Sequence, residues 1–178
     1  MNRVRQLESL TERWLRPFPH LPDVFRRWLT DNAWWLAVLA SFISAISALV
    51  MLGRLLDYIT YINNAPGYLD VYTVVHYPAG WLLTILVGLI YLSTVTVLYA
   101  KAATPLKERL RQGWDILFMT LVLGAIQVFL NAVFSFTFFG FVFGVLFGVI
   151  FLTIAAYFLF EIRSYFVKAG RVKLAAKR

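Results

Sequence analysis

Between Asp115 and Glu161 the sequence carries no charged side chain over about 45 residues, and this stretch constrains the fold more than any other. As one helix it would be roughly 67 Å long at 1.5 Å per residue, twice the depth of a bilayer's hydrocarbon core, so it has to fold back on itself. The turn is expected near Ser135 to Phe139, which makes the two halves antiparallel neighbours. The second half holds Gly140, Gly144 and Gly148 at four-residue spacing, with Phe139, Phe143, Phe147 and Phe151 in the adjacent column. On a helix those glycines line one narrow face and let another backbone approach closely. In water each interior glycine costs a helix roughly 1 kcal/mol relative to alanine. In lipid, close packing recovers that cost, so the column is expected to be a packing seam. Its partner is a second helix of the same bundle, a second copy of the chain, or the lumen of a pore.

Composition places the rest of the chain in the same setting. Of 178 residues, 61% are apolar and 15% charged, against roughly 45–50% and 25% in soluble domains, and the mean hydropathy is +0.73. One integral membrane unit is expected. The absence of cysteine removes disulfides, thiolate zinc sites and iron–sulfur clusters. The first thirty residues mix Arg, Glu, Pro and Asp throughout and offer no apolar core of a cleavable signal peptide.

Taken in order, residues 1–32 form an amphipathic segment expected at the cytoplasmic interface. Val4, Leu7, Leu10 and Trp14 recur at helical spacing among Arg3, Arg5, Glu8, Glu12 and Arg13. Such a helix lies flat among lipid headgroups or packs on a partner protein. Pro17, Pro19 and Pro22 break the chain before a second amphipathic piece, Asp23 to Leu29. Thr30, Asp31 and Asn32 offer an N-cap for a first span at about 33–52. This span has its own small-residue face at Ala37, Ser41 and Ala45, the natural partner for the glycine column.

An outer loop at 53–80 follows, with the first helix expected to run past Gly53 until Asn63-Asn64-Ala65-Pro66-Gly67 ends it. Residues 71–76 fit either a short strand or an interfacial coil. A second span is expected at about 81–100 and a polar connector at 101–113, where Thr104-Pro105 reads as the N-cap and first position of a small helix. Spans at about 115–135 and 139–160 and a basic tail at 161–178 complete an all-α, polytopic bundle with four transmembrane helices.

Sixteen of the seventeen Lys and Arg residues fall in the N-terminal segment, the connector and the tail; Arg54 alone stands in the outer loop. By the positive-inside rule both termini and the connector are expected in the cytoplasm. The net charge of +8 then suits anionic lipid headgroups and does not call for nucleic acid.

No Asp, Glu, Lys, Arg or His falls inside the four apolar runs, which argues against transport through embedded ion pairs and against axial haem ligands. His20 and His76 read as ordinary surface or interfacial histidines. No zincin, P-loop or nucleophile-elbow pattern is present, so no catalytic residue, metal or cofactor is expected. The best polar feature is on the third span, where Thr120, Gly124, Gln127 and Asn131 share one face. Amides in hydrocarbon need partners, so this face should point into the bundle. Thr84 and Gly88 on the second span and Ser44 and Ser47 on the first lie at similar depth. The four residues Gln127, Asn131, Thr84 and Ser44 serve either as interhelical hydrogen bonds or as a small polar ligand site. Asp115 and Glu161 are expected to pair locally with Arg111 and Arg163.

The segments Gly113-Trp114-Asp115-Ile116-Leu117-Phe118 and Phe160-Glu161-Ile162-Arg163-Ser164-Tyr165-Phe166 resemble recurrent stretches in small, uncharacterised four-span inner-membrane proteins of bacteria. The likeness covers the C-terminal third, implies the four-span architecture and a bacterial inner membrane, and transfers no site. The expected function is non-enzymatic: a structural or assembly subunit that packs with itself or with other membrane proteins. The alternatives are a small channel, carrier or lipid-binding protein for a neutral or lipid-like solute, and then an enzyme acting on lipid headgroups.

Overall fold

Long apolar runs with few breakers can satisfy their backbone in lipid only as helices, and helices are what the chain forms. A computed structural model describes residues 2–15, 17–64, 81–134 and 138–166. Its helices are α1 (Asn2–Leu15), α2 (Asp23–Asn64), α3 (Trp81–Lys107), α4 (Arg111–Phe134) and α5 (Phe138–Glu161), with a 3₁₀ turn at Arg163–Tyr165. The fold is all-α, and four of its helices are long and apolar enough to cross a membrane. Residues 71–76, His76, the turn at 135–137 and the tail beyond Phe166 lie outside the described residues.

Two expected breaks are absent. The helix entered at Asp23 runs without interruption for 42 residues, about 63 Å at 1.5 Å per residue. The expected N-cap at Thr30–Asn32 is therefore corrected. Thr30 donates its hydroxyl back to the Arg26 carbonyl at 2.8 Å, and Asn32 donates its amide to the Trp28 carbonyl at 2.7 Å. Both groups bond one turn back within a continuing helix, which such side chains do as readily as they cap. As expected, the helix continues past Gly53, and it reaches Asn64.

The second correction concerns Pro105, which sits inside the last turn of α3. The connector shrinks to residues 108–110. Leu110 N–H bonds to the Pro105 carbonyl at 2.8 Å and Arg109 N–H to the Leu106 carbonyl at 3.0 Å, the paired bonds of a Schellman termination. Arg109 takes the left-handed position, φ 52°, where glycine is usual. One helical turn later Gly113 lies so close to the end of α3 that a β-carbon there would stand 2.7 Å from the Leu106 nitrogen. Here glycine is required by a close approach of two backbones.

The spans pack in chain order, α2 on α3, α3 on α4 and α4 on α5. Along the α2–α3 seam Tyr58 meets Trp81 with ring centroids 5.3 Å apart, Met51 fills the space beside Gly88, and Ser41 bonds to the Thr96 carbonyl at 2.9 Å. At its far end Lys107 lies 5.3 Å above the Trp34 ring and Arg109 pairs with Asp31. Large apolar side chains on all four spans remain exposed, Phe42, Leu49, Ile90, Phe129 and Phe151 among them. Helices apolar all round, with their side chains turned outward, suit a hydrocarbon surrounding.

The buried core gathers at the arginine-rich end. It joins Ala33 and Ala37 of α2, Ala102 and Leu106 of α3, Trp114 and Phe118 of α4, and Leu159, Ile162 and Phe166 beyond. Trp114 is fully buried. Its ring stacks on Phe118 at 5.5 Å and meets Phe160 edge-on at 5.4 Å, while its indole N–H donates to the Leu159 carbonyl at 2.7 Å. A buried tryptophan needs such a partner, and this one ties α4 to the end of α5.

Candidate functional site

At the arginine-rich end the N-terminal segment is fastened to the spans by charge. Glu8 of α1 pairs with Arg111 and, at 2.6 Å, with Arg163, and Glu12 also pairs with Arg163. The Arg111 guanidinium sits 4.0 Å from the Trp114 ring centre and Arg163 5.6 Å from it, so the cations lie against an aromatic surface while the glutamates neutralise them. The glutamate side of α1 therefore faces the bundle. Leu7, Leu10 and Trp14, the last 77% exposed, face away from it.

Glu161 provides the second fastening. Expected to pair with Arg163, it turns instead to the segment before α2, because residues two apart on a helix point to different sides. Its side chain is only 8% exposed. One carboxylate oxygen lies 2.7 Å from His20 Nδ1, and the other accepts from the Leu21 amide at 3.1 Å and stands 3.8 Å from Arg26 Nε. Tyr157, one turn earlier, donates its hydroxyl to the Pro19 carbonyl. Asp115 pairs with Arg111 at 3.1 Å, as expected from their spacing. Nothing in local sequence pattern links Glu161 to residues 20 and 21, which lie about 140 positions away.

The glycine column divides between two environments. A β-carbon at Gly148 would run into Val128 of α4, so this glycine is where α5 approaches its neighbour. A β-carbon at Gly144 would meet nothing within 4 Å, and Gly140 is half-buried near the start of α5. Beside the open position Phe139, Phe143 and Phe147 stack along the outside, with successive centroids 6.5 and 6.2 Å apart. The small face of α2, expected to meet this column, lies elsewhere: Ala37 is buried in the core, Ser41 bonds to α3, and Ala45 is half-buried. Ser41 of α2 bonds to α3, while on α5 Gly148 seats α4 and Gly144 stays open.

The polar face of α4 enters the bundle at one end and leaves it at the other. Thr120 and Gly124 are buried, with Tyr91 and Leu152 closing on the glycine. Gln127 is half-buried, its Nε2 3.9 Å from where a β-carbon on Gly88 would stand, and Asn131 is exposed. The two amides bond to each other at 2.9 Å within the helix. Ser44 and Thr84 are half-buried on α2 and α3, and neither bonds to the amide pair. Among the described residues no group of three His, Asp or Glu side chains could hold a metal ion.

By helix length and hydropathy the chain is a multi-pass membrane protein. Comparison with protein-family models, with curated proteins and with solved structures finds no match.

Proposed function

We propose that the protein is a non-enzymatic membrane subunit that assembles with a second copy of itself through the face of α5 around Gly144. The observation that carries this reading is the open glycine. Gly148, one turn away, is filled by Val128, whereas Gly144 keeps the same backbone access with no described residue within 4 Å of a β-carbon there, flanked by exposed phenylalanines. Glycine at such a position is disfavoured for an isolated helix and favoured where another helix comes close. The carrier alternative draws on Gln127 and Asn131, whose mutual hydrogen bond already satisfies part of their need in hydrocarbon. In the same reading the arginine-rich end lies in the cytoplasm of a bacterial inner membrane, beside anionic headgroups.

The absence of native cysteine makes the test direct. Gly144→Cys, oxidised in native membranes, is expected to give a disulfide-linked dimer, while Val38→Cys on the exposed surface of α2 gives none. Gly144→Leu is expected to weaken self-association in nanodiscs. A wild-type protein that stays monomeric without any partner under these conditions refutes the proposal.

A further inference from the structure

The spans pack in chain order, so α2 and α5, first and last in the row, are not packed along their length. They meet at the arginine-rich end, where Phe25 contacts Phe158 with centroids 6.2 Å apart. Beside that contact, reaching from Leu29 and Ile162 to Ala40, lies a cavity of about 230 Å³. Its walls are Ala37 and Ala40 of α2, Tyr99 of α3, and Ala155, Phe158 and Leu159 of α5 with their neighbours. Four alanines, Ala33, Ala37, Ala40 and Ala155, set the walls back, and Ala155 is exposed. The lining is almost wholly apolar. An apolar cavity of about 150 Å³ already admits benzene, so this one has room for a length of alkyl chain.

We infer that this cleft holds one acyl chain of a phospholipid whose phosphate lies at Arg26. Two observations converge on that ligand. The cleft opens sideways between two membrane-spanning helices, where the surrounding medium is hydrocarbon and any occupant reaches it from the bilayer. Arg26 lies one turn before Leu29, the lining residue of α2 nearest the charged end, and on the same face, because positions three apart share a helix face. Its side chain is 25% exposed and pairs with Asp23, while Nε is buried 3.8 Å from Glu161, so a phosphate meets only the exposed part of the guanidinium. A phosphate beside a guanidinium and an alkyl chain in an apolar slot are the two halves of one amphiphile.

The test is native mass spectrometry of the full chain, delipidated in mild detergent and titrated with dioleoyl phosphatidylglycerol. Wild type is expected to retain one lipid per protomer. Ala155→Trp fills the mouth without disturbing the core and is expected to lower retention at least tenfold. Val149→Trp, on the exposed surface of the same helix, retains the lipid. Arg26→Gln is expected to lower retention about fivefold, the scale of one partly exposed charge-assisted contact. Circular dichroism confirms that each variant keeps its helices. Wild type without a retained lipid overturns the inference, as does Ala155→Trp retaining lipid at the wild-type level. Disulfide formation between two copies of Ala155→Cys overturns it as well, by placing a second protomer in the cleft.

Discussion

Replacing Gly113 with alanine tests the elbow between α3 and α4 with the smallest possible change. The added carbon would lie 2.7 Å from the Leu106 nitrogen, 2.9 Å from Leu106 Cγ and 3.0 Å from the Pro105 carbonyl carbon. Two of these three atoms belong to the backbone, so no rotamer change can make room. Ordinary contact begins at 3.4 Å, and the elbow has to open by about 0.7 Å. Overpacking of this kind costs about 1–3 kcal/mol, offset by less than about 1 kcal/mol of improved helix propensity. The net expectation is a loss of about 1–2 kcal/mol, measured by unfolding in dodecylsulfate and maltoside mixed micelles. Gly53→Ala is the control, because a β-carbon there meets nothing within 4 Å. It should be neutral or stabilising by up to about 1 kcal/mol. The reasoning fails if Gly113→Ala is as stable as wild type, or if the two variants shift together.

Three further perturbations address other contacts. Trp114→Phe removes the indole bond to Leu159 and is expected to cost about 1–2 kcal/mol, while Trp114→Ala costs about 3–5 kcal/mol by cavity formation; the same unfolding assay checks both. Glu161→Gln weakens the fastening of residues 20 and 21, and hydrogen exchange at the Leu21 amide should speed up about tenfold, as expected for losing a charge-assisted bond. Unchanged exchange would show that the carboxylate does not hold that segment. Arg109→Gly relieves a left-handed backbone while giving up an exposed pair with Asp31, so its stability should stay within about 0.5 kcal/mol of wild type. Arg109→Val loses the pair and places a β-branched residue at positive φ, for about 2 kcal/mol.

The number of spans was legible because hydropathy over twenty residues outweighs every local signal. The 45-residue uncharged run admits one solution, a hairpin, and α4 and α5 lie on either side of the expected turn. Shorter signals were ambiguous for a physical reason. Thr30 and Asn32 carry groups that cap a helix or bond back into one, and only the packing of Ala33 and Thr30 into the core decides between them. Pro105 fits a first turn or, as here, a last turn, where the freed carbonyl belongs to the exposed Lys101. Gln127 and Asn131 were expected to seek partners across the bundle; they bond instead to each other within α4, and Asn131 is exposed. The open cleft beside α2 left no mark in the pattern, because alanines on two distant helices become a cavity only when those helices fail to close. The glutamates of α1 likewise gave amphipathicity but not which side turns inward.

The order of contacts also bears on how the protein is made. Each span rests on the one synthesised just before it, so hairpins can settle in the bilayer as they emerge, with little loop-closure cost. The fastenings of Glu8, His20 and Leu21 reach to Arg163 and Glu161 instead. Those partners are translated more than a hundred residues later, so α1, held before then only by Glu8 on Arg111, gains its remaining fastenings when α5 is complete. Its full docking is then a completion signal: a nascent chain truncated within α5 would keep Glu12 free and Glu8 on Arg111 alone, and a quality-control protease could tell the two apart by that helix.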